Sequence, residues 1–337
     1  MKELAKAVWG LVVFLALAAP AFARLEKGLI FEQSAQIPSS HASTIVQLPD
    51  GDMLCAWYSG TAEGRKDVAI WASRFEQKSG KWSAPYVLAD TANKSDGNPV
   101  LFVAPDGKVY LYFVTIEGTN WAMASIKSIV SEDGAKTFGP VQPFRKKWGW
   151  MPRNHLVTLA SGHVLFPLYD EVYWKSVFML SKDNCKTWQK AGKIPTRPGN
   201  IQPAVVQFDD GSLMSLSRTR GKRIWRSYSQ DQGMTWSKAE EIDLPNPNAG
   251  IDLIRLESKE LVLAFNNTDS KRTPLSIALS KDNGKTWPVI KNIETENFEF
   301  SYPSLAQAAD GKIWLTYTWK RKAIGYAVFD LEWLQSN

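Results

Sequence analysis

Six tight turns mark out positions that could do chemistry. Nine residues before the second member of each turn stand Ala42 (with His41 one step earlier), Asn98, Arg153, Gln202, Gly250 and Tyr302. Seven residues after it stand Tyr58, Val114, Tyr169, Arg218, Asn266 and Thr318. Two such rings, rich in polar and aromatic side chains, suit a ligand with both hydroxyls and charge. Arg153 and Arg218 offer forked donors for a carboxylate or a sugar hydroxyl. His41 titrates near neutrality and can serve as acid or base. Gln202 can hydrogen-bond but cannot take up a proton. Tyr302 has a hydroxyl whose ordinary pKa is about 10, so alone it is a weak nucleophile.

The elements that position these residues repeat. The turns are Asp50-Gly51, Asp106-Gly107, Ser161-Gly162, Asp210-Gly211, Ser258-Lys259 and Asp310-Gly311, each between apolar β-rich runs. Asp-Gly in that setting signals a hairpin. A second motif, Ser-x-Asp-x-Gly-x-x-Trp, is offset from the first. It reads Ser280 to Trp287, Ser229 to Trp236, Ser181 to Trp188 with Cys185 for glycine, and Ser131 to Phe138 in a worn form. Its aromatic ends lie 50, 48 and 51 residues apart. Ser73 to Trp82 is a more degenerate copy. Asp closes such a turn through backbone N–H groups, Gly supplies positive φ, and Trp plugs it from below. These aspartates are read as structural.

A fixed period of about 50 residues means stacked units. Four strands in each of six units predict an all-β, six-bladed β-propeller over residues 24–337. A β-sandwich would not impose a regular period. In each unit the first strand descends to the hairpin turn and the second returns. The serine–aspartate turn joins the third and fourth strands on that same lower face. Both rings therefore share the upper face.

The chain has 337 residues, 44% hydrophobic and 22% charged, and a formal charge of +6. The excess is modest and unclustered, so no nucleic-acid partner is expected. Fifteen tryptophans are many for this length, and sugar-stacking surfaces would use some of them. Residues 1–23 read as a secretory signal peptide: Lys2 and Lys6, an apolar run Ala7 to Ala19, then Ala21-Phe22-Ala23. The run is too short to span a bilayer comfortably. The expectation is a product exported to the periplasm or the extracellular space, with no stable membrane insertion after cleavage. Cys55 and Cys185 are the only cysteines, and no disulfide between them is expected. No metal cluster or cofactor motif is present.

The serine–aspartate turns and the two rings resemble the sialidase superfamily, more narrowly its predicted-neuraminidase branch with BNR repeats; there the turn motif is called the Asp-box. The likeness runs through essentially all of the mature chain. It implies that Arg218 and Arg272 bind the carboxylate of an acidic sugar and that Tyr302, in Phe300-Ser301-Tyr302-Pro303, is the nucleophile. It also implies that Asp67, or its rival Glu63, protonates the leaving oxygen. Gln202, Arg153 and Asn98 complete the set expected to touch substrate. The chain departs from the pattern twice. His41 stands where the family has an arginine, and Gln202 where it has the glutamate that relieves tyrosine of its proton. The resemblance implies a glycosidase of sialidase type, acting on a terminal sialic or uronic acid of a glycan, with no cofactor. Two alternatives follow from the departures. One is a uronate lyase using His41 and Tyr302 as base and acid. The other is a sugar-binding propeller without turnover.

Overall fold

The computed structural model describes residues 24–336, so the expected signal peptide lies outside the described residues. Six antiparallel sheets of at least four strands each stand around one axis. The first blade runs Ser39–Gln47, Met53–Gly60, Ala69–Glu76, with Lys81–Trp82 and Tyr86–Ala89 sharing its outer edge. The second is Ser95–Val103, Val109–Ile116, Ala124–Ser131 and Gln142–Arg145. In the third the innermost strand is broken into Trp150–Pro152 and Val157–Thr158, ahead of Val164–Asp170, Lys175–Ser181 and Gln189–Lys193. The fourth is Asn200–Gln207, Leu213–Thr219, Arg223–Ser229 and Glu240–Pro245; the fifth is Asp252–Arg255, Leu261–Asn266, Leu275–Ser280 and Val289–Glu294.

The sixth blade holds Phe300–Gln307, Ile313–Trp319 and Ala323–Phe329, and takes its outer strand, Leu25–Leu29, from the other end of the chain. Leu25 pairs with Phe329 and Leu29 with Gly325. This closure carries no periodic signature in sequence. It satisfies the backbone edge that a sixth three-stranded blade would leave open.

Met53–Gly60 and Leu213–Thr219 are buried at every position. Both faces of these strands are covered by neighbouring blades, so the in–out alternation of a half-exposed strand is lost. Phe113 and Leu111 of the second blade pack with Leu54 and Ala56 of the first, and Phe265 of the fifth with Leu216 of the fourth. Cys55 and Cys185 are buried free thiols.

All six hairpin turns share one conformation. Their second members, Gly51, Gly107, Gly162, Gly211, Lys259 and Gly311, have φ between 80° and 94°. Lys259 alone pays the steric cost of a side chain there. Glutamines at the ends of three innermost strands tie blade to blade. Gln47 accepts the Ala309 N–H at 2.8 Å, Gln207 that of Ala160 at 2.7 Å, and Gln307 that of Glu257 at 2.8 Å.

The serine–aspartate turns work through a residue that the motif left unspecified. Asp133, Asp183, Asp231 and Asp282 each accept the N–H and the hydroxyl of a threonine four residues on. In the last turn Thr286 N–H reaches Asp282 Oδ1 at 2.9 Å and its hydroxyl reaches Oδ2 at 2.6 Å. Ser280 Oγ donates to Asp282 at 2.8 Å and accepts Gly284 N–H at 2.9 Å. Partial burial raises the Asp282 pKa, but these donors lower it more, to about 2. The folded pKa lies below the unfolded value of about 3.9. This contribution to stability is therefore complete above pH 4 and lost as pH falls through about 2. Asp282→Ala is expected to lower the thermal midpoint by about 2–5 °C at pH 6. Melting at pH 2 should show a much smaller difference from the parent, and an unchanged midpoint at pH 6 would refute the clasp.

Candidate functional site

The upper mouth is built on a repeated backbone defect. Four innermost strands shift register where the ring residues stand: between His41 and Thr44, Gly97 and Val100, Ile201 and Ala204, and Ser301 and Ser304. At each bulge one residue takes positive φ: Ala42 (54°), Asn98 (44°), Gln202 (55°) and Tyr302 (53°). A bulge bends the strand and re-aims side chains, and non-glycine residues held at positive φ are strained. That is why a count of nine residues from the turn lands on equivalent places. The third and fifth blades, with Arg153 and Gly250 at those places, have short innermost strands instead.

Tyr302 lies at the centre. The Cζ atoms of Arg153, Arg272 and Arg218 lie 5.2, 5.3 and 5.9 Å from its ring centroid. The ring of His41 lies 4.3 Å away. Arg218 Nη1 donates to the Tyr302 hydroxyl at 2.8 Å and to Gln202 Oε1 at 3.2 Å, and its Nε donates to Asn248 Oδ1 at 2.8 Å. Arg153, 2% exposed, donates to the carbonyls of Ser43 at 3.2 Å and Pro303 at 2.9 Å. Both of these buried guanidiniums thus bond only to neutral acceptors. Two further guanidiniums are compensated: Arg272 and Arg321 reach the same oxygen of Glu299, at 2.7 and 3.0 Å. Arg321 also pairs with Glu63 on the loop above the first blade.

Burial raises the pKa of the Tyr302 phenol, but Arg218, then Arg272, then a hydrogen bond from Gln202 outweigh it, leaving the phenol below its ordinary value. His41 is pushed well below 6.5, by burial first and then by the surrounding arginines, and is neutral. Its Nδ1 lies 2.8 Å from the Thr318 hydroxyl, which already accepts Ala42 N–H at 3.0 Å.

The remaining candidates are placed less centrally. Asn98 donates to the Tyr169 hydroxyl at 3.0 Å, a bond between the two rings. Asp67 is exposed and holds Thr61 through its N–H at 2.8 Å and its hydroxyl at 2.9 Å. Slight burial raises its pKa, but these bonds lower it more. In this state Asp67 clasps a loop as a carboxylate, and Glu63 is engaged by Arg321. Three residues in contact with this set had no signal in the repeat: Arg321, Glu299 and Asn248. Glu299 could have been found, because it stands three residues before Tyr302. Glu171 was also missed; burial raises its carboxyl pKa against the pull of Arg218 and Arg220. Gly250 leaves room beside the phenol: a Cβ there would sit 3.4 Å from Gln202 Oε1 and from the Tyr302 ring.

A cavity of about 660 Å³ opens at the opposite, lower end of the axis. Its walls are largely aliphatic, and its one histidine is committed to the fold. His155 Nε2 lies 2.8 Å from the buried Asp252 carboxylate and 3.2 Å from Ser304 Oγ, joining the third, fifth and sixth blades. Converging cations and a perturbed phenol occur at the upper mouth, which is therefore the candidate site.

Residues 51–315 match the family model described as a BNR repeat-like domain. A sialidase of Micromonospora viridifaciens is 29% identical over 48% of this chain and 26% of its own length. An anhydrosialidase of Macrobdella decora is 25% identical over 67% of this chain and 32% of its own length. The chain thus spans about a third or less of these two relatives. Among solved structures, a sialidase of Streptococcus pneumoniae superposes with a TM-score of 0.79 at 14% identity, covering 90% of this chain and 70% of that one. This likeness concerns the fold. With the family model matching most of its length, the chain belongs to the BNR repeat-like family of the sialidase superfamily.

Proposed function

We propose that this protein is a sialidase-like glycoside hydrolase that releases a terminal acidic sugar, a sialic or uronic acid, from glycans outside the cytoplasm. The observation that carries this reading is the charge at the mouth. Four guanidiniums surround or adjoin Tyr302, and direct carboxylate contacts, from Glu299 and Glu63, compensate only two of them. Buried charge without a counter-ion is costly, and a ligand carboxylate would relieve that cost. Arg218, which bonds no carboxylate, receives that of the ligand together with Arg272, whose contact with Glu299 engages Nη1 alone. The same two cations hold the phenol of Tyr302 below its ordinary pKa, which favours the phenolate where the family's glutamate is missing. Gln202 supports the phenolate as a donor. Tyr302, its proton given up to solvent, bonds through its oxygen to the anomeric carbon as the glycosidic bond breaks. The leaving oxygen takes a proton from Asp67, which must first release Thr61 and gain that proton from solvent. Water then attacks the anomeric carbon, returns a proton to Asp67 and displaces the Tyr302 phenolate.

The test is incubation of the purified protein with a panel of sialosides and uronosides, with product analysis by mass spectrometry and NMR. Release of a saturated free acid is expected. An unsaturated product would replace this reading with a lyase, and binding without any release would replace it with a sugar-binding propeller.

A further inference from the structure

The innermost strand of the third blade is interrupted between Pro152 and Val157. The interruption is not a surface loop: Arg153 is 2% exposed and Asn154 3%. Three consecutive side chains leave their own blade there and reach the bulged strands of others. The bulges need them. Each register shift leaves two residues outside the ladder: Ala42 and Ser43, Gln202 and Pro203, Tyr302 and Pro303. A buried carbonyl that has lost its ladder partner requires another donor. Arg153 supplies two, from Nη1 to the Ser43 carbonyl at 3.2 Å and from Nη2 to that of Pro303 at 2.9 Å. Asn154 Nδ2 donates to the Gln202 carbonyl at 2.9 Å. His155 Nε2 lies 3.2 Å from Ser304 Oγ, which accepts the Ile45 N–H at 3.2 Å. The same nitrogen lies 2.8 Å from Asp252 Oδ2, which accepts the Leu305 N–H at 2.7 Å. The fourth bulge is held from the same blade: Asn98 donates to Tyr169, whose strand partner Met151 stands just before the break.

We propose that Arg153-Asn154-His155 is an axial hub that fixes Tyr302 and Gln202 in the conformation used for chemistry. Arg153, expected from sequence to touch substrate, is then a positioning residue, buried beneath the mouth. Tyr302 and Gln202 are held at φ of 53° and 55°. Such strain persists only where surrounding bonds over-determine it. Released from these donors, the Tyr302 bulge relaxes toward negative φ and carries the phenol away from Arg218. The third blade has no bulge of its own because its backbone at that level is spent on holding the others. The proposal rests on the hydrolase reading for its kinetic consequence only.

Hydrogen exchange read by mass spectrometry tests the hub without turnover. Arg153→Lys keeps the charge but lacks the fork. Peptides covering residues 42–45 and 302–305 should exchange about tenfold faster or more in this variant. Those covering the outer strand Val289–Glu294 should not change. In Asn154→Leu the faster exchange should centre on residues 201–205 instead. Kinetics on the acidic glycoside then separate positioning from contact. Arg153→Lys should lower kcat by about a hundredfold, the scale expected for small misplacement of a reacting group. Its KM should stay within about threefold, because no substrate contact is removed. Unchanged exchange at the bulges, an equal rise over every peptide, or a raised KM at constant kcat would overturn the proposal. If no acidic glycoside is turned over, the hydrolase reading falls, and the exchange result still decides the hub. Should Arg153→Lys fail to fold, Asn154→Leu decides it at Gln202.

Discussion

Tyr302→Phe is expected to lower kcat on an acidic glycoside by a thousandfold or more while changing KM little. Removing a covalent nucleophile commonly costs about 10³ to 10⁶ in rate, with residual turnover from binding alone. The substitution deletes one atom. That oxygen's protein partner is Arg218 at 2.8 Å, and the ring keeps its place against His41 at 4.3 Å. Phenylalanine must adopt the same positive φ of 53°, so the backbone strain is unchanged. Losing one hydrogen bond to a charged group costs about 1.5–3 kcal/mol, which a domain of this size should tolerate. The expected signature is thus a folded protein that still binds the acidic sugar but does not turn it over. Turnover near the parent rate in the folded variant would remove Tyr302 from the chemistry and leave the arginines as a binding site only.

How much of this was legible in the sequence follows from periodicity. The hairpin turns and the serine–aspartate turns are local, so their residues appear at a fixed spacing and announce six blades. The bulges are equally regular, which is why Asn98, Gln202 and Tyr302 could be located by counting. What lies off the repeat was not legible. Arg321 is at the tip of the last hairpin's return, with φ of 59°, and meets Glu63 across the seam between the first and last blades. That contact links residues 258 apart in sequence, and only ring closure brings them together. Closure itself, through Leu25–Leu29, has no counterpart in the other units. Likewise Asn248 bonds Arg218 from a loop between blades, where no strand pattern constrains the position. Asp67 and Glu63 share one loop, but their partners, Thr61 and Arg321, depend on how that loop folds back.

Arg218→Ala should lower kcat/KM for the acidic glycoside about 30-fold to a few thousandfold. Truncating one member of a buried charge pair costs about 2–5 kcal/mol, at a factor of ten per 1.4 kcal/mol. The free protein should lose much less stability than this. Three neutral acceptors, Tyr302, Gln202 and Asn248, lose a donor, but a desolvated charge bonded to no carboxylate is removed with it. Lysine should recover the charge and only part of the affinity, because it lacks the fork. The same substitution must also move Tyr302. Arg218 is the largest of the influences holding the phenol down against burial. Without it, burial is opposed chiefly by Arg272, so the phenol's pKa rises. A difference titration at the phenolate absorbance, each protein against its own Tyr302→Phe partner, should therefore show ionisation at higher pH in Arg218→Ala. Any residual activity limited by that ionisation should move to higher pH with it. Loss of affinity with no movement of the phenol's titration would mean that Arg218 binds the anion but does not activate Tyr302, and the proton would then need another acceptor than solvent. A common shift in both readouts would tie substrate charge recognition and nucleophile activation to one guanidinium.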